Sequence, residues 1–411
     1  NAQANGASLL NAYAAAKLMT PGGNPLSATN RVLIIVSDGE YDIGANVLTL
    51  DTDYIDLLGH GRCRDLAVTT GSPVVKLPNS VVKGTGNPVV ALNATDVYVQ
   101  GIGFVQSTDS ADVMSVDDAG NAASVRFIDV GFVTTAATPG EGVVMGGAAQ
   151  IDGYWEQCHS NRGLFNAAVF SGRCVKCHGG DGSFGGSSTT SVGSVVGGIF
   201  WECWAGSGSF GANTQNATYN GYAERCIADE NSFGSSFDGT GTYGGTFEGT
   251  AIDCNAQWDS FAGDTGRGSA SSFSGEATRC TAAAGAFGGR GSVESSAKLI
   301  DCEAEEESFG SSMSGLMRGC ISDRGTDIGL AGTGEVIGCT LINSSACPLT
   351  IVGSTPKIAR STIISGGVVA IDAASALNIK MFYTALNKSI GVNVTNVIGN
   401  GYNVVDVDVT A

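Results

Sequence analysis

Three stretches decide the fold: DCNAQWDSFAG at 253–263, RCTAAAGAFGG at 279–289 and DCEAEEESFGS at 301–311. Each sets a phenylalanine seven residues after a cysteine. Working outward, Cys158, Cys177, Cys203, Cys226, Cys254, Cys280 and Cys302 are followed at that offset by Phe165, Phe184, Phe210, Phe233, Phe261, Phe287 and Phe309. Cys320 and Cys339 continue the series without the ring. The interval from one cysteine to the next varies from 18 to 28 residues, while the cysteine-to-phenylalanine stretch is constant. A coil with one fixed face and one loop-bearing face has this signature. The expected fold is an all-β, single-stranded parallel β-helix.

Two residues after the cysteine comes Ser160, Gly179, Ala205, Ala228, Ala256, Ala282 or Ala304. Period-two alternation places cysteine and small residue on one side of a strand, inside a narrow tube. The residue before the cysteine then points outward. Lys176, Glu202, Arg225, Asp253, Arg279 and Asp301 alternate in sign there, so stacked neighbours attract. One residue further back, Glu224 and Arg318 replace the apolar Trp201, Ile252 and Ile300, which reads as a corner or bulge. Upstream, VYVQGIGF (97–104) and VRFIDVGF (125–132) repeat, and downstream GCTLINSS (338–345) is followed by ARSTIISG (359–366). The division expected is residues 1–30 as a capping helix and linker and 31–411 as one solenoid, with the ladder over 158–339 and terminal coils over 340–411.

Composition agrees. Of 411 residues 61 are glycine, and the formal charge is −18. Tight turns and short strands suit that glycine content. The acidic balance, without a Lys/Arg cluster, disfavours nucleic acid and anionic membranes, and no apolar run is long enough for membrane insertion. The 12 cysteines are expected as free, buried thiols behaving as small hydrophobes, because in-register parallel strands hold their Cβ atoms too far apart for easy bridging.

Residues 5–19 read as a helix, with Leu10, Ala14 and Leu18 on one face and Leu9, Tyr13 and Ala16 beside it, closing the first coil as a lid. Strand-like runs follow at 31–44, 47–51 and 54–61. This order of helix, strand, the turn Asp38-Gly39-Glu40-Tyr41, and short strands ending in Leu57-Leu58-Gly59-His60-Gly61 resembles the opening of pectate-lyase-like right-handed parallel β-helix proteins, bacteriophage tailspikes and tail fibres among them. The resemblance implies a right-handed coil, a homotrimer, and a place on the virion tail or at the cell surface. In phage relatives the helix follows a virion-binding head, so the start at Asn1 is expected to be that of a fragment or processed form. The architecture itself hosts lyases, hydrolases, adhesins and inert fibres.

Several chemical motifs in the sequence compete with plainer roles. Cys174 to His178 reads C-x-x-C-H, the spacing of c-type haem attachment. Cys177 belongs to the inward ladder, however, so haem is not expected. His159 and His178 each follow a ladder cysteine and should stack outside; with Cys174 they form a candidate divalent-metal site, against the plainer reading of two surface histidines. Gly59-His60-Gly61 precedes Asp117-Asp118, the wrong order for a polygalacturonase-type site. Asp229, Glu230, Glu303, Glu305, Glu306 and Glu307 supply acid, with Arg290, Arg318 and Arg324 as bases for a lyase; a solvated acidic face accounts for the same residues. Asp253 and Asp301 flank Arg279, which would keep both ionised and so unfit as a general acid.

The aromatic candidates for glycan binding or subunit packing are Trp201, Trp204 and Trp258, with Tyr219, Tyr222 and Tyr243 in the same region. Trp204 is expected to face outward and Trp258 to lie at a turn. The leading functional expectation is a structural and recognition fibre that binds cell-surface polysaccharide. A polysaccharide lyase or glycoside hydrolase on the outer face is the second class, and a non-enzymatic surface or filament protein the third.

Overall fold

The computed structural model describes residues 1–67, 74–116, 124–138, 140–145, 151–165, 169–185, 195–211, 217–235, 245–262, 271–288, 292–293, 296–305, 308–309, 312–322, 328–330, 334–343, 349–351, 356–365, 371–373, 377–382, 384–386, 394–398 and 402–404. The chain divides into two compact units, Asn1–Thr190 with Ser194–Phe210 and Gly211–Ala411 with Ser191–Gly193. Each is a right-handed parallel β-solenoid whose coils contribute strands to two long sheets and, in most coils, to a third face.

In unit one the first sheet includes Ile55–Leu58, Tyr98–Gln100, Arg126–Ile128, Tyr154–Glu156, Arg173–Val175 and Ile199–Trp201. The second includes Ile102–Gln106, Gly131–Thr134, His159–Ser160, His178–Gly179 and Trp204–Ala205. Register is kept without slippage from coil to coil, as in Tyr98↔Arg126, Arg126↔Tyr154 and Tyr154↔Arg173. A helix, α1 (Ala2–Ala16), covers the first coil. Its buried residues are Gly6, Leu9, Tyr13 and Ala16. The expected Leu10, Ala14 and Leu18 face is not the buried one: Leu18 lies past the end of α1 and is 85% exposed. Gly6 sets the docking angle, because a Cβ there would run into the Asp42 carbonyl. Tyr13 receives hydrogen bonds on its hydroxyl from the Asp51 and Thr52 amides.

Unit two repeats the scheme. Its first sheet includes Tyr222–Glu224, Thr250–Ile252, Glu276–Thr278, Lys298–Ile300, Leu316–Arg318, Glu335–Ile337 and Lys357–Ala359, and its second includes Ile227–Ala228, Asn255–Ala256, Thr281–Ala282, Glu303–Ala304 and Ile321–Ser322. Between these sheets the chain turns on one residue in the left-handed region: Arg225, Asp253, Arg279 and Asp301 have φ of 52, 53, 52 and 53°. The same corner holds Lys176 and Glu202 in unit one. The expected irregularity one position earlier is therefore the last strand residue, and the turn follows it. Each corner amide still reaches the next coil, as in Asp253 to the Thr278 carbonyl at 3.0 Å and Arg279 to that of Ile300 at 2.8 Å. Two pairs of the alternating corner charges meet as expected: Arg279 grips Asp253 at 2.6 and 2.8 Å, and Lys176 lies 3.5 Å from Glu202, while Arg225 lies 3.7 Å from Glu224 on its own strand.

The ladder cysteines sit just after these corners with their thiols inward. All eleven described cysteines are free and buried. Ladder thiols donate to carbonyls of the preceding coil, as in Cys280 to Ala251 at 3.4 Å, Cys302 to Ala277 and Cys320 to Leu299 at 3.3 Å. The small residues two places on are inside too, Ala256 and Ala304 being 4% and 1% exposed. A sulfur thus fills the corner and satisfies a backbone acceptor, which an apolar side chain of its size cannot do.

The repeated phenylalanines occupy a second corner rather than a strand. All seven have positive φ, from 48 to 68°, and none is exposed to solvent. A left-handed conformation costs an L-residue about 1–2 kcal/mol. Stacking offsets it: Phe233 and Phe261 lie 4.7 Å apart with planes 3° from parallel, Phe261 and Phe287 4.8 Å and 9°. In unit one Phe184 stacks on Phe210 at 4.9 Å. The serine before the ring adds a polar ladder, since the Ser232 amide donates to Ser260 Oγ at 3.3 Å and the Ala286 amide to Ser308 Oγ at 3.2 Å.

Candidate functional site

The outer face of the second sheet in unit two carries a trough of about 410 Å³ lined by Asn255, Gln257, Thr281, Glu303 and Glu305, with alanines between. Its origin is local. Asn255, Thr281 and Glu303 each follow a ladder cysteine and lie in register on successive coils. Alternation turns Ala256, Ala282 and Ala304 into the tube and leaves the polar neighbours outside. Ala283 stands between the longer Gln257 and Glu305 at the position three after the cysteine, and its short side chain leaves the depression. Directly after Gln257 comes Trp258, 55% exposed. Backbone bonds hold the main chain there: the Asn231 amide donates to the Trp258 carbonyl at 2.8 Å, and the Asp259 amide to that of Ala284 at 2.9 Å. The result is a shallow polar channel with amide, hydroxyl and carboxylate groups, followed in the chain by an exposed indole.

The remaining aromatic candidates do not gather there. Tyr219 is fully buried and stacks on Phe247 at 5.3 Å with planes 16° apart, so it is a core residue. Trp204 is 8% exposed, packed beside His178, and does not present the open outer surface expected. Trp201 is 39% exposed in unit one. Tyr222 is half-buried and donates to Glu224 at 2.8 Å. Tyr243 lies outside the described residues.

His159 and His178 do stack, in register with ring centroids 4.8 Å apart, but His159 is only 6% exposed, so they are not the open surface pair expected. Cys174 does not join them. It is fully buried in the file of inward residues that pairs it with Trp155 and Phe200, so the sulfur is on the other side of the wall. Among the described residues no group of three or more His, Cys, Asp and Glu side chains is placed to hold a metal. Cys174 and Cys177 are both completely buried, an arrangement that does not offer their sulfurs to a haem. His60 sits 3.2 Å from Asp38 at the surface. Asp117, Asp118, Glu306, Glu307, Arg290 and Arg324 lie outside the described residues. Asp229 and Glu230 occupy, one coil earlier, the positions of Gln257 and Trp258 relative to the ladder cysteine. Arg279, hydrogen-bonded to Asp253, holds that carboxyl below the usual carboxylate range.

No protein-family model, curated protein or solved structure matches the chain. The class rests on the architecture alone: a right-handed parallel β-solenoid with an N-terminal helix, consistent with a pectate-lyase-like β-helix.

Proposed function

We propose that this protein is a structural and recognition fibre that binds cell-surface polysaccharide on the outside of its solenoid. The trough, with exposed Trp258 next in the chain to its Gln257, carries the reading. Amide and hydroxyl groups such as those of Asn255, Gln257 and Thr281 hydrogen-bond sugar hydroxyls, and an exposed indole gives the C–H face of a pyranose ring an apolar partner. A rigid in-register wall suits a polymeric ligand, since it presents these groups without an ordering cost at binding. By resemblance the fibre is a trimer of the phage tailspike or tail-fibre kind, placed on a virion tail or a cell surface.

Glu303 and Glu305, the two carboxylates of the trough, favour a second reading as a glycoside hydrolase or lyase. One experiment addresses both. The protein is titrated with capsular and cell-wall polysaccharides, binding is read from tryptophan fluorescence, and the mixture is assayed for new reducing ends and unsaturated sugars. Binding without cleavage supports the fibre; cleavage lost in Glu303→Gln or Glu305→Gln supports the enzyme; no binding to any glycan rejects both.

A further inference from the structure

The outer face of the first sheet in unit one carries a second array, separate from the trough. Tyr98, Arg126, Tyr154 and Arg173 occupy one outward file on four successive coils, in unbroken register. Gln100, Ile128, Glu156 and Val175 form the file beside it. Tyr98 donates to Gln100 at 2.6 Å and Tyr154 to Glu156 at 2.8 Å, so each ring lies along its own strand. Arg126 and Arg173 are exposed, and neither has an ion pair or a side-chain hydrogen bond among the described residues. The Arg173 guanidinium is steadied 5.8 Å from the Tyr154 ring centroid. At the equivalent outer file of unit two the cations Lys298 and Lys357 are paired, with Glu276 at 3.5 Å and Glu335 at 3.3 Å. The acids near the arginine face are already engaged: Asp56 is held by Arg31, and Glu156 accepts from Tyr154. Two unpaired arginines on one file, in a chain of charge −18, are groups awaiting an anion.

Their spacing narrows the ligand. Adjacent coils lie about 4.8 Å apart, so Arg126 and Arg173, two coils apart, stand about 9.6 Å apart, as do Tyr98 and Tyr154. That is close to the length of one disaccharide in an extended polysaccharide. We infer that this face binds an acidic polysaccharide bearing a carboxylate on alternate sugars, the chain running along the coil axis. Each arginine takes one carboxylate in a bidentate pair, and the intervening sugar rests on tyrosine and on the Ile128 and Val175 side chains.

The test is calorimetry at about 0.15 M salt, where the long-range repulsion from the acidic chain is screened within roughly 8 Å. The probes are a hyaluronate decasaccharide, charged on alternate sugars, a polygalacturonate decasaccharide, charged on every sugar, and a neutral cello-oligosaccharide. Hyaluronate should bind best. Arg126→Ala and Arg173→Ala should each weaken it at least tenfold, the lysine variants severalfold, and Lys298→Ala not at all. The inference is overturned if hyaluronate does not bind, if polygalacturonate binds more tightly, or if the double alanine variant, with unchanged circular dichroism, binds within twofold of the parent. None of these outcomes depends on the trough, whose own test uses Trp258.

Discussion

Phe261→Ala removes a ring from the middle of the stacked interior. The ring is fully buried, lies flat between Phe233 and Phe287 at 4.7 and 4.8 Å, and meets Phe247 edge-on at 5.8 Å. Truncating a buried phenylalanine to alanine costs about 3–5 kcal/mol; with two stacked partners that cannot close the gap, the upper end is expected. Phe261→Gly sharpens the test. Glycine normally costs about 0.5–1 kcal/mol relative to alanine. At φ 55° that order reverses, because relief of left-handed strain gives back about 1–2 kcal/mol. Phe261→Gly should therefore be no less stable than Phe261→Ala. Urea unfolding followed by circular dichroism supplies both differences. Hydrogen exchange at the Phe261 and Phe287 amides, which donate to the Ser232 and Ser260 carbonyls, shows whether the damage centres on that coil. A loss below about 1 kcal/mol for Phe261→Ala, or a glycine variant clearly weaker than the alanine one, would refute the stacked-corner account.

Trp258→Ala should weaken glycan binding at the trough by tenfold or more while leaving the melting temperature within a degree or two, read by fluorescence titration and calorimetry. Arg31→Ala strips the partner from Asp56, which is 9% exposed and bound by Arg31 at 2.6 and 2.7 Å; a loss of about 1–3 kcal/mol in urea unfolding is expected. Alkali should destabilise the protein. Hydrogen bonding to the Cys280 thiol, aided by burial, pushes Cys302 up to about 12, and burial does the same to Tyr13. Raised acid pKa values mean the unfolded chain loses protons first, so stability present below about pH 9 falls as pH rises toward 12; melting temperatures over that range check the sign. In solution the fibre reading expects three copies, so light scattering should give three times the chain mass, and a monomer or an open-ended polymer would contradict it.

Much of this was legible because the cysteine-to-phenylalanine stretch is constant. It aligned the coils, set the thiols and alanines inside, and placed Asp253 against Arg279. The corners were harder to read. Nothing in the residue types announces a left-handed phenylalanine, because the conformation is imposed by the stack rather than by local preference. Tyr219 reads in the sequence as a binding or packing candidate in a variable return; its third-sheet strand, Thr218–Tyr219, is only two residues long, too short for alternation to reveal a core position. Trp204 has the outward parity expected, yet neighbours cover it. Leu18 has the spacing of the helix face, but the helix ends at Ala16. The trough appears only when Gln257, Ala283 and Glu305 are aligned on their cysteines across unequal intervals, and the arginine file only when register is known.

Sulfur anomalous diffraction from a crystal of the native chain tests the central claim most directly. Cys254, Cys280, Cys302, Cys320 and Cys339 should give a single file of separate peaks, one for each coil at intervals of about 4.8 Å. Scattered peaks, or pairs merged at about the 2 Å separation of a disulfide, would contradict it.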